Sequence, residues 1–245
     1  MTTTRRTALV TDASTLAAEA VAERLERDGL AVIRNYPDGL PETCRNREGR
    51  CSYRTDDLEQ VRAMSRWAAE KGYAVRALVH SDNVLLRASV EEIAEEDFFA
   101  CVDRNAKSAF MATKVFAEEI AQAGGGSVVY LSSVHGEKPT GVSFAYSVGK
   151  GAVKMLCREM SLFYGRKGVR CNLVEMDATI ETVEQLDSAI VPFNYELERK
   201  VPLGRATRPA DFAGAVAFLI SDDAAQINGA DLLVDGGHLR WYLDR

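Results

Sequence analysis

Tyr146 and Lys150 lie four residues apart in Phe144-Ala-Tyr-Ser-Val-Gly-Lys150, and Tyr146 follows Ser133 by thirteen positions. On a helix, residues i and i+4 share one face, so a phenol and an ammonium at this spacing approach the same point. An ammonium beside a phenol favours phenolate, and the pair is expected to lower the tyrosine pKa and act as a general acid/base near neutral pH. Ser133 closes a short run, Val128-Val-Tyr-Leu131-Ser-Ser133, and its hydroxyl is placed to hold a carbonyl or alkoxide oxygen. A Tyr-x-x-x-Lys pair alone arises by chance on surface helices; the linked serine makes the set specific. His135 follows two residues later and reads as an exposed loop histidine, with a second acid/base or substrate-contact role as the alternative.

These side chains need a frame. Short apolar runs alternate with helical stretches along the chain. Ala8–Val10 reads as a buried strand, followed by Ser14 as a helix cap and apolar residues at helical spacing from Leu16 to Leu25. Further strands are expected at 31–33, weakly at 51–53, then at 73–79, 127–131, 169–174 and 232–234. Helices are expected from Asp56-Asp57 to Lys71-Gly72, over 90–123, over 144–165 and over 211–221. Residues 38–50 read as an irregular excursion. Repeated strand–helix alternation with fully apolar strands implies an α/β fold, a Rossmann-like doubly wound parallel sheet with helices on both faces. The absence of repeats, linkers and low-complexity tracts favours one domain over residues 1–245.

The formal net charge of −6, without a lysine/arginine cluster, argues against a nucleic-acid partner. No apolar run has the length of a membrane span, and the N-terminus lacks a signal-peptide pattern. Five scattered cysteines and three distant histidines suggest neither a disulfide framework nor a metal site. A cytoplasmic protein with reduced thiols is the expectation.

Taken together, Ser133, Tyr146 and Lys150 resemble the catalytic residues of the short-chain dehydrogenase/reductases, and within that family the 3-oxoacyl-carrier-protein reductases most closely. Asn105, in Arg104-Asn-Ala-Lys-Ser, matches the fourth catalytic member, which in the family holds a proton-relay water. Gly168-Val-Arg-Cys-Asn172, Val201-Pro-Leu-Gly-Arg205 and Asn228-Gly-Ala-Asp-Leu-Leu-Val-Asp-Gly-Gly237 extend the likeness almost to the C-terminus. The resemblance implies a substrate lid over 181–200. It also implies subunit interfaces through the helices carrying Asn105 and Tyr146, with Met155, Met160, Leu162 and Phe163 as an apolar face. A docked tail over 238–245 and a homotetramer or homodimer are expected.

The family's cofactor residues are largely replaced. Its T-G-x-x-x-G-x-G turn aligns with Thr11–Ala18, which puts Asp12, Leu16 and Ala18 at the glycine positions. Glycines there let the backbone approach a pyrophosphate at a helix N-terminus. The family's N-N-A-G aligns with His80-Ser-Asp82-Asn83, its adenine-side aspartate with Arg54, and its nicotinamide-side P-G with Met176-Asp177. Pro37 falls near the position of an arginine in NADP-preferring members. Arg54 and Asp12 are expected to pair across the former adenosine pocket. The favoured function is acid–base chemistry on a small carbonyl, hydroxyl or acyl substrate without conventional NAD(P) use. The alternatives are an NAD(P)H-dependent carbonyl or 3-oxoacyl reductase and a non-catalytic subunit.

Overall fold

The computed structural model describes residues 6–45, 47–177 and 201–240. Seven parallel strands form one sheet in the order β3-β2-β1-β4-β5-β6-β7. They are β1 Arg6–Val10, β2 Ala31–Asn35, β3 Arg50–Cys51, β4 Ala74–His80, β5 Gly126–Ser133, β6 Val169–Met176 and β7 Asp231–Val234. Among the described residues the α-helices are α1 Leu16–Arg27, α2 Leu58–Glu70, α3 Glu95–Val102, α4 Ser108–Gln122, α5 Phe144–Gly165 and α6 Pro209–Ile220. The doubly wound parallel sheet is the architecture expected from the sequence.

Side chains on a strand point alternately to opposite faces, and here both faces are apolar. Ala8, Val10, Val129 and Leu131 pack with α1 and α6, through Val21, Leu25, Ala213 and Val216. Leu9, Ile33, Val128 and Tyr130 pack on the other face with α2, α4 and α5, through Met64, Phe116, Ile120 and Val153. Each such fully buried aliphatic side chain contributes about 1.5–3 kcal/mol. Charged side chains are buried as well, and the largest of them is an arginine of β2. Arg34 of β2 is 1% exposed, and Glu19 and Glu26 of α1 hold its guanidinium.

Several local expectations change. Thr15, not Ser14, caps α1, accepting the Ala18 N–H at 3.2 Å. Ser14 is diverted because Asp12 Oδ1 accepts both its backbone N–H (3.0 Å) and its hydroxyl (2.6 Å). The helix expected over 90–123 begins at Glu95, and a π-turn over Asp103–Lys107 divides α3 from α4. Single π-turns of this kind recur at functional positions. Helix α5 has the bounds read from the sequence. The segment 181–200 lies outside the described residues, as does the tail beyond Arg240.

Candidate functional site

In open α/β sheets the crevice lies beyond the carboxyl ends of the strands. Register fixes what arrives there. Ser133 ends β5 opposite Met176 of β6, which in turn pairs with Val234 of β7. His80 ends β4 beside Tyr130, and Thr11 and Asp12 follow β1 directly. The turns of α5 then bring Tyr146 and Lys150 to the same edge, both buried.

Ser133, Tyr146 and Lys150 come together, with electrostatics other than the sequence suggests. Tyr146 Oη donates to Asn83 Oδ1 at 2.8 Å, and Lys150 Nζ lies 5.4 Å from the centre of the tyrosine ring. Lys150 Nζ donates to the Asp82 carbonyl at 3.1 Å. Contrary to the sequence expectation, the phenol is not acidified. Burial pushes Tyr146 up to about 12, outweighing the nearby Ser133 hydroxyl, which pulls the other way. The lysine is itself desolvated, and burial brings it down to about 8 despite the neighbouring Asp82 carboxyl. The Tyr146 phenol is therefore held protonated in this arrangement.

Asn105 lies in the π-turn, fully buried. Its side-chain amide donates to the carbonyls of Val84 and Cys101, both at 2.9 Å, and Oδ1 accepts the Val84 N–H at 3.3 Å. The side chain thus anchors the segment after Asn83. Its side-chain polar atoms are thus engaged by protein groups.

The replaced cofactor positions are built into the fold. Asp82, 0% exposed, accepts hydrogen bonds from the hydroxyls of Thr11 and Thr55, which joins the ends of β1 and β4 to the segment after β3. Asp12 is 4% exposed; Ser14 holds its carboxylate, and its backbone exchanges hydrogen bonds with Ser81 Oγ. Burial raises both carboxyls above the ordinary aspartate range, and Asp82 raises Asp12 further. Leu16 opens α1 and stays 58% exposed, whereas Ala18 is buried against the sheet. His80 is fully buried, its Nε2 2.8 Å from Ser108 Oγ, and burial drives its pKa well down. Asp177 sits 2.7 Å from Nδ1 of His238.

The expected Arg54–Asp12 pair does not form. Arg54 instead holds Asp56 two residues away, at 2.8 and 2.5 Å, because that carboxylate lies within local reach while Asp12 is engaged by Ser14. A different pair takes the long-range role. Arg104, of the π-turn, makes a bidentate bridge to Asp38 beyond β2 at 2.9 and 3.0 Å. Sequence reasoning also missed Asn83 as a partner of Tyr146; its position in the N-N-A-G match was the available signal. A separate cleft of about 650 Å³ lies at the amino-terminal ends of the central strands, lined in part by Arg6, Arg76 and Arg170. Two of those guanidiniums are committed to backbone carbonyls, of Ala123 and of Leu219, Ile220 and Ser221.

A doubly wound parallel sheet presenting serine, tyrosine and lysine at its strand-end crevice defines a dehydrogenase/reductase scaffold of the short-chain class. Residues 15–238 match the family described as enoyl-(acyl carrier protein) reductase, and the chain belongs to the short-chain dehydrogenase/reductase family. It is 29% identical to glucose 1-dehydrogenase 2 of Bacillus subtilis over 245 residues, covering 96% of this chain and 95% of that one. It is 32% identical to L-rhamnose-1-dehydrogenase of Scheffersomyces stipitis over 181 residues, 73% of this chain and 70% of the relative. Its fold superposes with a TM-score of 0.87 on a gluconate 5-dehydrogenase from Burkholderia cenocepacia, solved with NADP and tartrate. That match has 24% identity and covers 97% of this chain and 96% of the other. No helix among the described residues is long and apolar enough to cross a membrane.

Proposed function

We propose that this chain is an acid–base enzyme acting on a small carbonyl or hydroxyl compound through Tyr146, Ser133 and Lys150, without seating NAD(P) in the family's extended position. The observation that carries this reading is the buried Asp82 carboxylate, held between Thr11 and Thr55 where the family has an alanine. A pyrophosphate needs free backbone N–H groups and a positive field at the helix N-terminus. Here Thr15 takes the Ala18 N–H, Asp12 takes the Ser14 N–H, and two buried carboxyls lie behind them. The residues present therefore do not fit the group. Tyr146 supplies a proton to the substrate oxygen, Ser133 holds that oxygen, and Lys150 places a cation beneath the ring. The dehydrogenase relatives named for glucose and rhamnose support a polyhydroxy or small cyclic carbonyl substrate.

The second reading is an NAD(P)H-dependent reductase. It is favoured by Lys150 under Tyr146, since in the family this lysine also holds the nicotinamide ribose. Calorimetric titration with NADH and with NADPH separates the two. We expect no saturation at micromolar concentration with either, and clear micromolar binding of one restores the reductase.

We further propose self-association through α5. Val148, Met155 and Leu162 recur every seven residues and are 42%, 54% and 71% exposed, with Phe163 beside them at 61%. Residues seven apart fall on one helix face, and an apolar stripe of this kind favours a second copy. Sedimentation at micromolar concentration should show a dimer or tetramer, and the pair Met155→Asp and Leu162→Asp should give monomer. A monomeric unaltered chain overturns this proposal.

A further inference from the structure

We propose that His135 is a second catalytic residue, a general base that removes the proton from the carbon beside a carbonyl held by Tyr146 and Ser133. The substrate class follows: an enolisable ketone or aldehyde. The inference rests on the acid–base reading above and assigns the base which that reading lacks.

The first support is placement. His135 occupies a short 3₁₀ turn, Val134–Gly136, at the end of β5, and its N–H donates to Ser133 Oγ at 3.2 Å. The turn is closed by Glu137 and Lys138 N–H groups on the Val134 carbonyl, at 3.0 and 2.8 Å. It also presses on α5 at the catalytic lysine. A Cβ added at Gly136 would stand 2.9 Å from the Lys150 carbonyl carbon, closer than real contacts allow. The histidine is thus fixed relative to all three members of the catalytic set.

The second support is orientation. The His135 and Tyr146 rings are 6.2 Å apart between centres and meet nearly edge to face, at 75°. His135 Nδ1 lies 3.3 Å from the Lys138 carbonyl. A carbonyl only accepts, so Nδ1 carries the proton in the neutral ring and the basic lone pair is on Nε2. A hydrogen bond that sets the tautomer in this way is how histidines are prepared as bases.

The third support is elimination within the crevice. Tyr146 keeps its proton, since its buried hydroxyl donates to an amide oxygen, that of Asn83. That oxygen shows where a carbonyl acceptor sits when Tyr146 donates. Lys150 Nζ is directed at the Asp82 carbonyl, and a serine hydroxyl is a weak base. Among the described residues, Asp82 and Asp12 are held by hydroxyl groups, and His135 stands beside Tyr146 with a lone pair on Nε2.

In the proposed step, Nε2 takes the α-proton and the C–H electron pair becomes the new C=C bond. The carbonyl π pair moves to oxygen, which takes the Tyr146 proton, leaving an enol. Return of a proton from His135 to the α-carbon, and of the enol proton to Tyr146, restores the carbonyl compound with that hydrogen exchanged or its configuration inverted. Atoms and charge balance, and no oxidant or reductant is consumed.

The test is deuterium exchange at the α-carbons of dihydroxyacetone, glyceraldehyde and cyclopentanone in heavy water, followed by proton NMR with the full-length protein. The unaltered chain should accelerate exchange of at least one probe over buffer. His135→Gln should lose at least ~100-fold of that acceleration, in keeping with removal of a general base. Saturation-transfer binding of the probe should stay unchanged. Free imidazole added to His135→Ala should restore exchange, which a merely structural histidine would not permit. Exchange by His135→Gln at the unaltered rate overturns the assignment to His135; if Tyr146→Phe still abolishes it, the acid–base reading stands. No acceleration by the unaltered chain with any probe overturns that reading and this inference with it.

Discussion

Returning the crevice to the family pattern, by Asp12→Gly, Leu16→Gly, Asp82→Ala and Asn83→Gly together, is expected to raise affinity for NADH or NADPH by roughly 100-fold or more. The size comes from electrostatics. Each buried carboxylate a few ångströms from a pyrophosphate costs roughly 1–4 kcal/mol, depending on local dielectric. A tenfold change in affinity needs only about 1.4 kcal/mol. Asp82 contributes the larger share, because it is wholly desolvated and, among the described residues, only hydroxyl groups hydrogen-bond to its carboxylate. Asp82→Ala alone should therefore recover more binding than Leu16→Gly alone, since Leu16 is 58% exposed at the start of α1 and is sterically displaceable. Asn83→Gly acts at the other end by releasing the Tyr146 hydroxyl. Glycine at a helical position costs about 1 kcal/mol, so the variant should melt lower while binding better. Isothermal titration of the unaltered chain, the single variants and the fourfold variant reads this directly. Equal affinity throughout would mean that the replaced residues never obstructed the dinucleotide.

What could be read from residues alone was local geometry. The Tyr146–Lys150 spacing places both side chains on one face of α5, and the helix runs over the interval its apolar pattern marked. Ser133 reaches the crevice because a buried strand in a parallel sheet ends there, and that too follows from a short apolar run. Partnerships across strand ends could not be read in this way. Whether Arg54 meets Asp12 or Asp56, and whether Arg104 reaches Asp38, depends on register and on where a π-turn rotates a helix. The same limit explains the misjudged tyrosine. Proximity of Lys150 was read correctly, but the sign of the pKa shift depends on burial, and desolvation of the phenol here exceeds the opposing pull of the Ser133 hydroxyl. Asp82 illustrates the point most sharply: in the sequence it is a misplaced charge, and in the fold it ties together segments from three strands.

The second large effect concerns Lys150. Its folded value of about 8 lies below the ordinary 10.5. Between those two values the unfolded chain binds the extra proton, so stability from this group is lowest below pH 8 and recovers as pH rises towards 10.5. The gap corresponds to roughly 2–4 kcal/mol. Lys150→Met should consequently gain stability relative to the unaltered chain near pH 7, and this pH-dependent gain should fade as pH rises to about 10.5. Absolute stability is a poor readout, because the buried thiols of Cys51 and Cys171, pushed up to about 12, act in the opposite direction. Their unfolded forms ionise first, so they remove stability as the solution becomes alkaline. The difference between the two proteins cancels that background. Loss of the Nζ bond to the Asp82 carbonyl shifts the whole difference curve without tilting it, whereas the slope belongs to the ammonium. Urea unfolding of both proteins at several pH values measures that slope. A flat difference curve would mean that the ammonium remains hydrated and the crevice wet. A sloping one means that the fold keeps a charge beneath Tyr146 at a cost to its own stability. Packing does not account for such a residue, and proton chemistry at the phenol does.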